Sequence, residues 1–304
     1  MGELSKTSGE NGEKLTEELL KLMGWKSFMK GINVLCNKPP HHKQTHGNDF
    51  FYIYNNPLHD QKTDIVYIST KNSSKGYPSG AQGTRTQLKK HLLELESIID
   101  CSKVSPEINS AISSFTCRKQ KRHFGVLFWR HGNKEQIDRD IKQDLSAIQV
   151  ELGAKHPIYL VDMARATFIK DAITHFRSST HGTYNFYYPK LGSILISNDE
   201  RHGPILPIEL IASDLIPIRF MIDDQPALCL YAKQNFSEEI FKKLCSLALD
   251  FADAWVKNIF IGLENYHPAD DKNKKDEVLM SFQGREANIK VFCYRQSVLD
   301  LLEV

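Results

Sequence analysis

Most of the signatures that announce an enzyme's chemistry are missing from this sequence. It has no Walker loop, no GxGxxG dinucleotide fingerprint, no GxSxG nucleophile elbow and no HExxH helix. Those absences argue against a P-loop NTPase, a dehydrogenase, a serine hydrolase of that type and a zincin. No stretch approaches 18 uncharged apolar residues, so no transmembrane helix is expected. No basic start leads into an apolar run, so no secretory leader is expected and the cytoplasm is the expected compartment. Cysteine is sparse and scattered: Cys36, Cys101, Cys117, Cys229, Cys245 and Cys293, with no CxxC pair. Free thiols in a reducing compartment are the plain expectation. The formal charge is only +2, so a nucleic-acid partner would have to meet a local basic patch. No internal repeat or low-complexity tract stands out.

What is present suits α/β architecture. The chain has 304 residues, 41% of them hydrophobic and 25% charged, enough for a sizeable core. Leu15, Leu19, Leu20 and Met23 recur at helical spacing before Gly24, which predicts a helix from about Glu10 or Gly12 to Met23. Trp25 and Phe28 follow as core covers. Gly31–Leu35 is short and apolar, and the segment 37–47, with its prolines and histidines, reads as a loop. Asp49–Tyr54 and Asp64–Thr70 read as strands. A loop from Asn72 to Gly83 leads to a helix from about Thr84 to Ile99. The run 124–129, FGVLFW, reads as a buried strand, Ile158–Val161 as another and Arg165–Phe176 as a helix. Tyr184–Tyr188 and Ser193–Ile196 look like a strand pair.

The composition shifts near Gly203. Three short apolar runs follow, at Ile205–Ile211, Ile216–Met221 and Ala227–Tyr231. A long helix is expected from Ser237 to Val256, opened by a serine cap and two glutamates. Asp270–Glu277 reads as a linker or exposed loop, and Asn288–Tyr294 as a last strand. The expected division is residues 9–200 and an accessory α/β unit over 201–304.

The chemistry concentrates in the first hundred residues. Glu13 lies on the first helix, Asp49 at the start of a strand, Lys71 at the end of the next, and Gln87 on the following helix. The segments GEKLTEELLKLMGW, HGNDFFYIYNNP and TDIVYISTKNS carry this order. It resembles the PD-(D/E)xK, restriction-endonuclease-like nuclease superfamily, especially its Mrr-like and Holliday-junction-resolvase-like branches. The resemblance implies a mixed sheet flanked by helices. It also implies a helix glutamate, a strand aspartate, an acid-x-lysine on the neighbouring strand and a helix behind it.

Phosphodiester hydrolysis needs negative charge stabilised on the phosphate. Carboxylates holding Mg²⁺ or Mn²⁺ activate water and offset that charge, and a nearby lysine supports the developing anion. The expected ligands are Glu13, Asp49 and Glu94, with Glu17 as a rival to Glu13. One position breaks the pattern. Residues two apart share a strand face at about 6.6 Å, which puts the motif acid at Ser69. Asp64 lies seven residues from Lys71, about 23 Å along a strand and of opposite parity, so it is no substitute. Gln87, His91 and Glu94 fall on one helical face, and Glu94 is the better rescue, ahead of Glu96.

Lys75 and Arg85, in and after the loop, and the basic run Arg118, Lys119, Lys121 and Arg122 are candidate phosphate contacts. Each has a plainer reading as solvated surface. Cys36 with His41, His42 and His46 matches no structural zinc spacing we can justify. The resemblance extends to nuclease-fold subunits of bacterial antiphage defence complexes. It implies double-stranded DNA as substrate, and a homo-oligomer or a hetero-complex with a second nuclease-fold protein. Ser69 leaves an alternative open: a catalytically impaired subunit that binds DNA or scaffolds an active partner.

Overall fold

A computed structural model describes residues 2–38, 41, 43–145, 155–180, 183–193, 195–253, 255–284 and 287–295. The chain forms two compact units, Met1–Thr167 and Phe168–Val304.

In the first unit, helix α1 (Gly2–Leu22) leads into strands β1 (Met29–Leu35), β2 (Thr45–Asn55) and β3 (Lys62–Ser73). Helices α2 (Ala81–Ser102) and α3 (Pro106–Ser114) precede β4 (Gln120–His131), and α4 (Lys142–Leu145) precedes β5 (Ile158–Val161). The five strands pair in chain order, antiparallel across β1–β2–β3 and parallel across β3–β4–β5. Parallel strands need a crossover, and α2 with α3 supplies it between β3 and β4.

Strand β4 is central. Residues 124–129 are buried without alternation, as a strand covered on both faces requires. One cover is α2, whose Leu88, Leu95, Ile98 and Ile99 pack with Phe51, Ile65, Tyr67, Leu127 and Trp129. Another contributor is the α1 segment. Leu19, Leu20, Met23 and Trp25 are buried, and Trp25 stacks on Tyr52 at 4.8 Å. Gly24, at φ 80°, ends the helix as expected, and the Trp25 amide caps the Leu20 carbonyl at 2.8 Å.

Helix α5 (Met163–Ser179) runs across the division into the second unit. There follow β6 (Tyr184–Tyr187), β7 (His202–Gly203), α6 (Ile208–Ile211), β8 (Leu215–Ile222) and β9 (Gln225–Ala232). Then come α7 (Glu238–Ala252), β10 (Asn258–Leu263), α8 (Lys272–Met280) and β11 (Asn288–Cys293). The sheet order is β11-β10-β9-β8-β6-β7. β6–β8–β9 is antiparallel and β9–β10–β11 is parallel. Apart from the short β7, this repeats the first unit: a helix, three antiparallel strands, a crossover helix and two parallel strands. Asp214 even sits one residue beyond the first β8–β9 pair, as Asp49 does beyond the first β2–β3 pair.

Several expectations are corrected. The composition change at Gly203 falls inside the second unit, because β6 and β7 pair into its sheet. The segment Ser193–Ile196 forms no strand among its described residues, and β6 pairs with β7 and β8 instead. Asp270–Glu277 is not a linker: α8 starts at Lys272 inside it. The long helix stops at Ala252, four residues short of Val256, because Asp253 takes φ 45°. Ser237 does cap it, accepting from the Ile240 amide at 3.3 Å.

Candidate functional site

Strand pairing delivers the first two residues of the site. The β2–β3 ladder reaches Phe50↔Ile68. One step further, Asp49 turns its carboxylate to β3 and accepts from the Thr70 amide at 2.6 Å. Strand β2 starts at Thr45, so Asp49 lies inside it rather than opening it, and His46 and Gly47 are strand residues paired with β1. Lys71 follows Thr70 on β3. Its Nζ lies 2.8 Å from Oε2 of Glu94 on α2. Lys43 approaches the other Glu94 oxygen at 3.4 Å.

The electrostatics tie these groups together. Burial pushes the Asp49 carboxyl up, and the negative charges of Glu13 and Glu94 push it further; the Thr70 amide and Lys71 act against them. Burial also opposes ionisation of Glu94, but Lys71 and Lys43 outweigh it and hold that carboxyl below its usual range. His91, one turn before Glu94, is driven down to about 4 by burial and by Lys71. It is a neutral ring, edge-on to Trp129. Glu13 is exposed on α1, within electrostatic reach of Asp49. Its rival Glu17 is taken up by Lys30 and by Lys21, the latter at 3.1 Å. Gln87 is half-buried on α2, seven residues before Glu94. Ser69 is buried, and it shares the parity of Lys71.

Two residues that sequence reasoning passed over hold α1 beside these strands. Arg130, at the end of β4, is 2% exposed. It donates to the Gly12 carbonyl and to Thr16 Oγ1, the latter at 2.5 Å. Thr16 in turn meets the Thr70 hydroxyl at 3.0 Å. Burial lowers the guanidinium to about 10, so it stays charged. Gly12 lets the helix approach: a Cβ there would lie 2.7 Å from Asn72 Cβ. Glu13 is the next residue. The only sequence signal was an arginine directly after the apolar run 124–129.

The phosphate-contact candidates do not gather here. Arg118 donates to the Asn56 and His59 carbonyls at 2.7 and 2.6 Å. Arg122 forms a forked pair with the fully buried Asp64 at 2.8 and 3.0 Å. Both are used inside the unit. Lys119 and Lys121 are exposed, but Lys121 pairs with Thr63 while Trp129 pairs with Lys71. Eight residues of strand, about 26 Å, separate those levels. Arg85 donates to the Asp144 carbonyl at 2.7 Å. Lys75 is exposed in the loop just past β3.

Two groups of side chains among the described residues have ligand atoms packed within 4.8 Å of one another: Cys36, His41, His46 and Cys101, and Glu96, Asp100 and His156. The second is already balanced by Lys38, 2.7 Å from Asp100, and by Lys155. Glu13, Asp49 and Glu94 do not form such a group. Their carboxylates still suit a hard cation. Mg²⁺ is commonly held by one or two carboxylates, completed by water and phosphate oxygens. Asp49 is a desolvated carboxylate with acidic neighbours, whose charge a divalent ion would offset.

A helix on a mixed five-stranded sheet, with an aspartate, a lysine and a helix-borne glutamate at one end of β3, defines a PD-(D/E)xK-type nuclease domain. The family model described as the GAPS4 protein PD-(D/E)XK nuclease domain matches residues 1–165, and the chain belongs to that family. No curated protein and no solved structure matches the chain. No helix among the described residues is long and apolar enough to cross a membrane.

Proposed function

We propose that this chain is a Mg²⁺- or Mn²⁺-dependent DNA endonuclease whose site consists of Glu13, Asp49, Lys71, Gln87 and Glu94. One observation carries the reading: Glu94 from α2 meets Lys71 at 2.8 Å, beside Asp49. The acid missing at Ser69 is thereby replaced from the helix. A divalent ion bound by Asp49 with Glu94 or Glu13 would supply an activated water and charge stabilisation. Asp49 is oriented for this by the Thr70 amide. Lys71 places a cation where negative charge grows on the phosphate. Gln87 offers a neutral donor on the same helix face as Glu94. Lys75, exposed just past β3, is the candidate contact to the DNA backbone. Resemblance suggests the setting: bacterial antiphage defence, as a homo-oligomer or in a hetero-complex with a second nuclease-fold protein.

The buried Ser69 favours a second reading, an impaired subunit that binds DNA or scaffolds an active partner. The two separate on one assay. Purified chain is incubated with supercoiled plasmid and Mg²⁺ or Mn²⁺. Nicking or linearisation that stops with chelator supports the enzyme. Intact plasmid, with cleavage gained on adding a co-encoded protein, supports the subunit.

A further inference from the structure

Four side chains from three separate parts of the first unit converge at one end of α2. Cys36 directly follows β1, His41 lies in the loop to β2, His46 is the second residue of β2, and Cys101 is in the last turn of α2. Cys36 Sγ and Cys101 Sγ are 3.9 Å apart. His41 Nδ1 lies 3.7 Å from the first and 3.3 Å from the second. His46 places a ring nitrogen within 4.8 Å of all three. We propose that these four residues bind one Zn²⁺ ion as a closed structural site.

The distances fit the ion. Tetrahedral zinc, with Zn–S of about 2.3 Å and Zn–N of about 2.0 Å, requires S···S of about 3.8 Å and S···N of about 3.5 Å. The three edges among Cys36, His41 and Cys101, at 3.9, 3.7 and 3.3 Å, lie close to these values, and His46 stands within 4.8 Å of all three. They do not match a disulfide, whose sulfurs would stand about 2.0 Å apart, and both thiols are free. Two thiolates and two imidazoles are a soft-to-borderline donor set, which selects zinc over Mg²⁺. With four protein ligands no position is left for substrate, so the site is structural rather than catalytic.

An independent observation points the same way. His46 is 2% exposed, and neither of its ring nitrogens has a hydrogen-bond partner. A buried polar ring without a partner is costly, and metal coordination would satisfy it. The Asn37 backbone amide is directed at the Cys101 sulfur, an outer-shell contact of the kind that positions metal ligands. The site would fasten the β1–β2 loop to α2. His46 is three residues before Asp49, and Lys43 of the same loop reaches Glu94. Zinc would therefore hold the approach to the candidate nuclease site without entering its chemistry. This inference does not rest on the nuclease reading.

The test uses the full chain, purified without chelator and dialysed against metal-free buffer. Elemental analysis should return one zinc per chain. Replacement by Co²⁺ should give the visible and thiolate charge-transfer bands of tetrahedral cobalt. Cys36→Ser and Cys101→Ser should each lose the metal, while Cys117→Ser, at a thiol outside the cluster, should keep it. His41→Ala, at a partly exposed loop residue, covers the case in which the Cys101 variant does not fold. It should weaken metal retention and change the cobalt spectrum. Metal-free wild-type chain without a tetrahedral cobalt spectrum would overturn the proposal. So would full zinc content in both cysteine variants, or a Cys36–Cys101 disulfide found by mass spectrometry in fresh protein.

Discussion

Lys71 and Glu94 form an ion pair at 2.8 Å that joins the end of β3 to the middle of α2. Their side chains are 26% and 31% exposed, so solvent screens the pair and it contributes only about 0–1 kcal/mol to stability. Such a pair is better explained by a task than by folding. Glu94→Gln keeps the shape and removes the charge. It should reduce metal-dependent plasmid cleavage by about 10²-fold or more, with circular dichroism and melting temperature nearly unchanged. Cleavage at the wild-type rate would return Glu94 to a plain surface role. Lys71→Ala should show the same split between activity and stability.

Asp49 gives a prediction in pH. Its folded-state pKa is raised, chiefly by burial. The folded state then holds the proton more tightly than the unfolded state. Stability is lost as pH rises from the unfolded carboxylate value through the raised one. Above that window, metal-free protein carries an unfavourable charge. Asp49→Asn, which keeps an acceptor for the Thr70 amide, should therefore melt higher than wild type at pH 7 in chelator, and the gain should vanish in acid. Mg²⁺ should raise the melting temperature of wild type and not of the variant. Equal Mg²⁺ shifts in both proteins would place the ion elsewhere.

Arg122 separates structural from nucleic-acid roles. Its partner Asp64 is fully buried and also accepts from Asn56. Removing the guanidinium takes the forked cationic partner away from a buried carboxylate. Arg122→Ala should cost about 3 kcal/mol, read as a shifted denaturant midpoint. The folded fraction should bind DNA with the same salt dependence as wild type. A stable variant with a shallower salt slope would mean that Arg122 touches phosphate after all.

What sequence order could reveal was local. Glu13, Asp49 and Lys71 were legible because each marks a helix or strand that periodicity finds, and Glu94 because helical spacing aligns it with Gln87 and His91. Cys101 was not legible as a partner of Cys36. The two are 65 residues apart, and only the packing of α2 against the β1–β2 loop joins them. Arg130 was hidden because its role is to accept burial while donating to backbone, which no spacing encodes. The second unit repeats the topology of the first without a visible repeat in residues. Topology follows from where apolar runs and helices fall, and many side chains satisfy that pattern. Strand β10, at Asn258–Leu263, was not read from the sequence, and the preceding helix was read past its break at Asp253.

Gly12 tests whether α1 must sit where it does. Alanine favours a helix over glycine by about 1 kcal/mol. Against that, its Cβ would meet Asn72 Cβ at 2.7 Å, and forcing a methyl into a packed contact costs about 1–3 kcal/mol. Gly12→Ala should lower the melting temperature. It should lower cleavage further, because Glu13 moves with the helix. A variant more stable than wild type would show that the contact yields easily and that α1 is not fixed by it.

Ser69 decides whether a strand acid and a helix acid are interchangeable. It shares the parity of Lys71 two residues on and is buried, so a carboxylate there would stand where the acid-x-lysine pattern has one. If Glu94 has taken over that duty, the double variant Ser69→Glu with Glu94→Gln should regain Mg²⁺-dependent cleavage by about tenfold over Glu94→Gln alone, equivalent to about 1.4 kcal/mol of barrier. The single variant Ser69→Glu should gain little, since an added buried acid beside Asp49 and Glu94 raises the cost of ionising all three. A folded double variant with no recovered activity, in a background where wild type cleaves, would show that Glu94 serves Lys71 and not the ion. Catalysis would then rest on Asp49 and Glu13, and Mg²⁺ stabilisation of the Glu94→Gln variant should equal that of wild type.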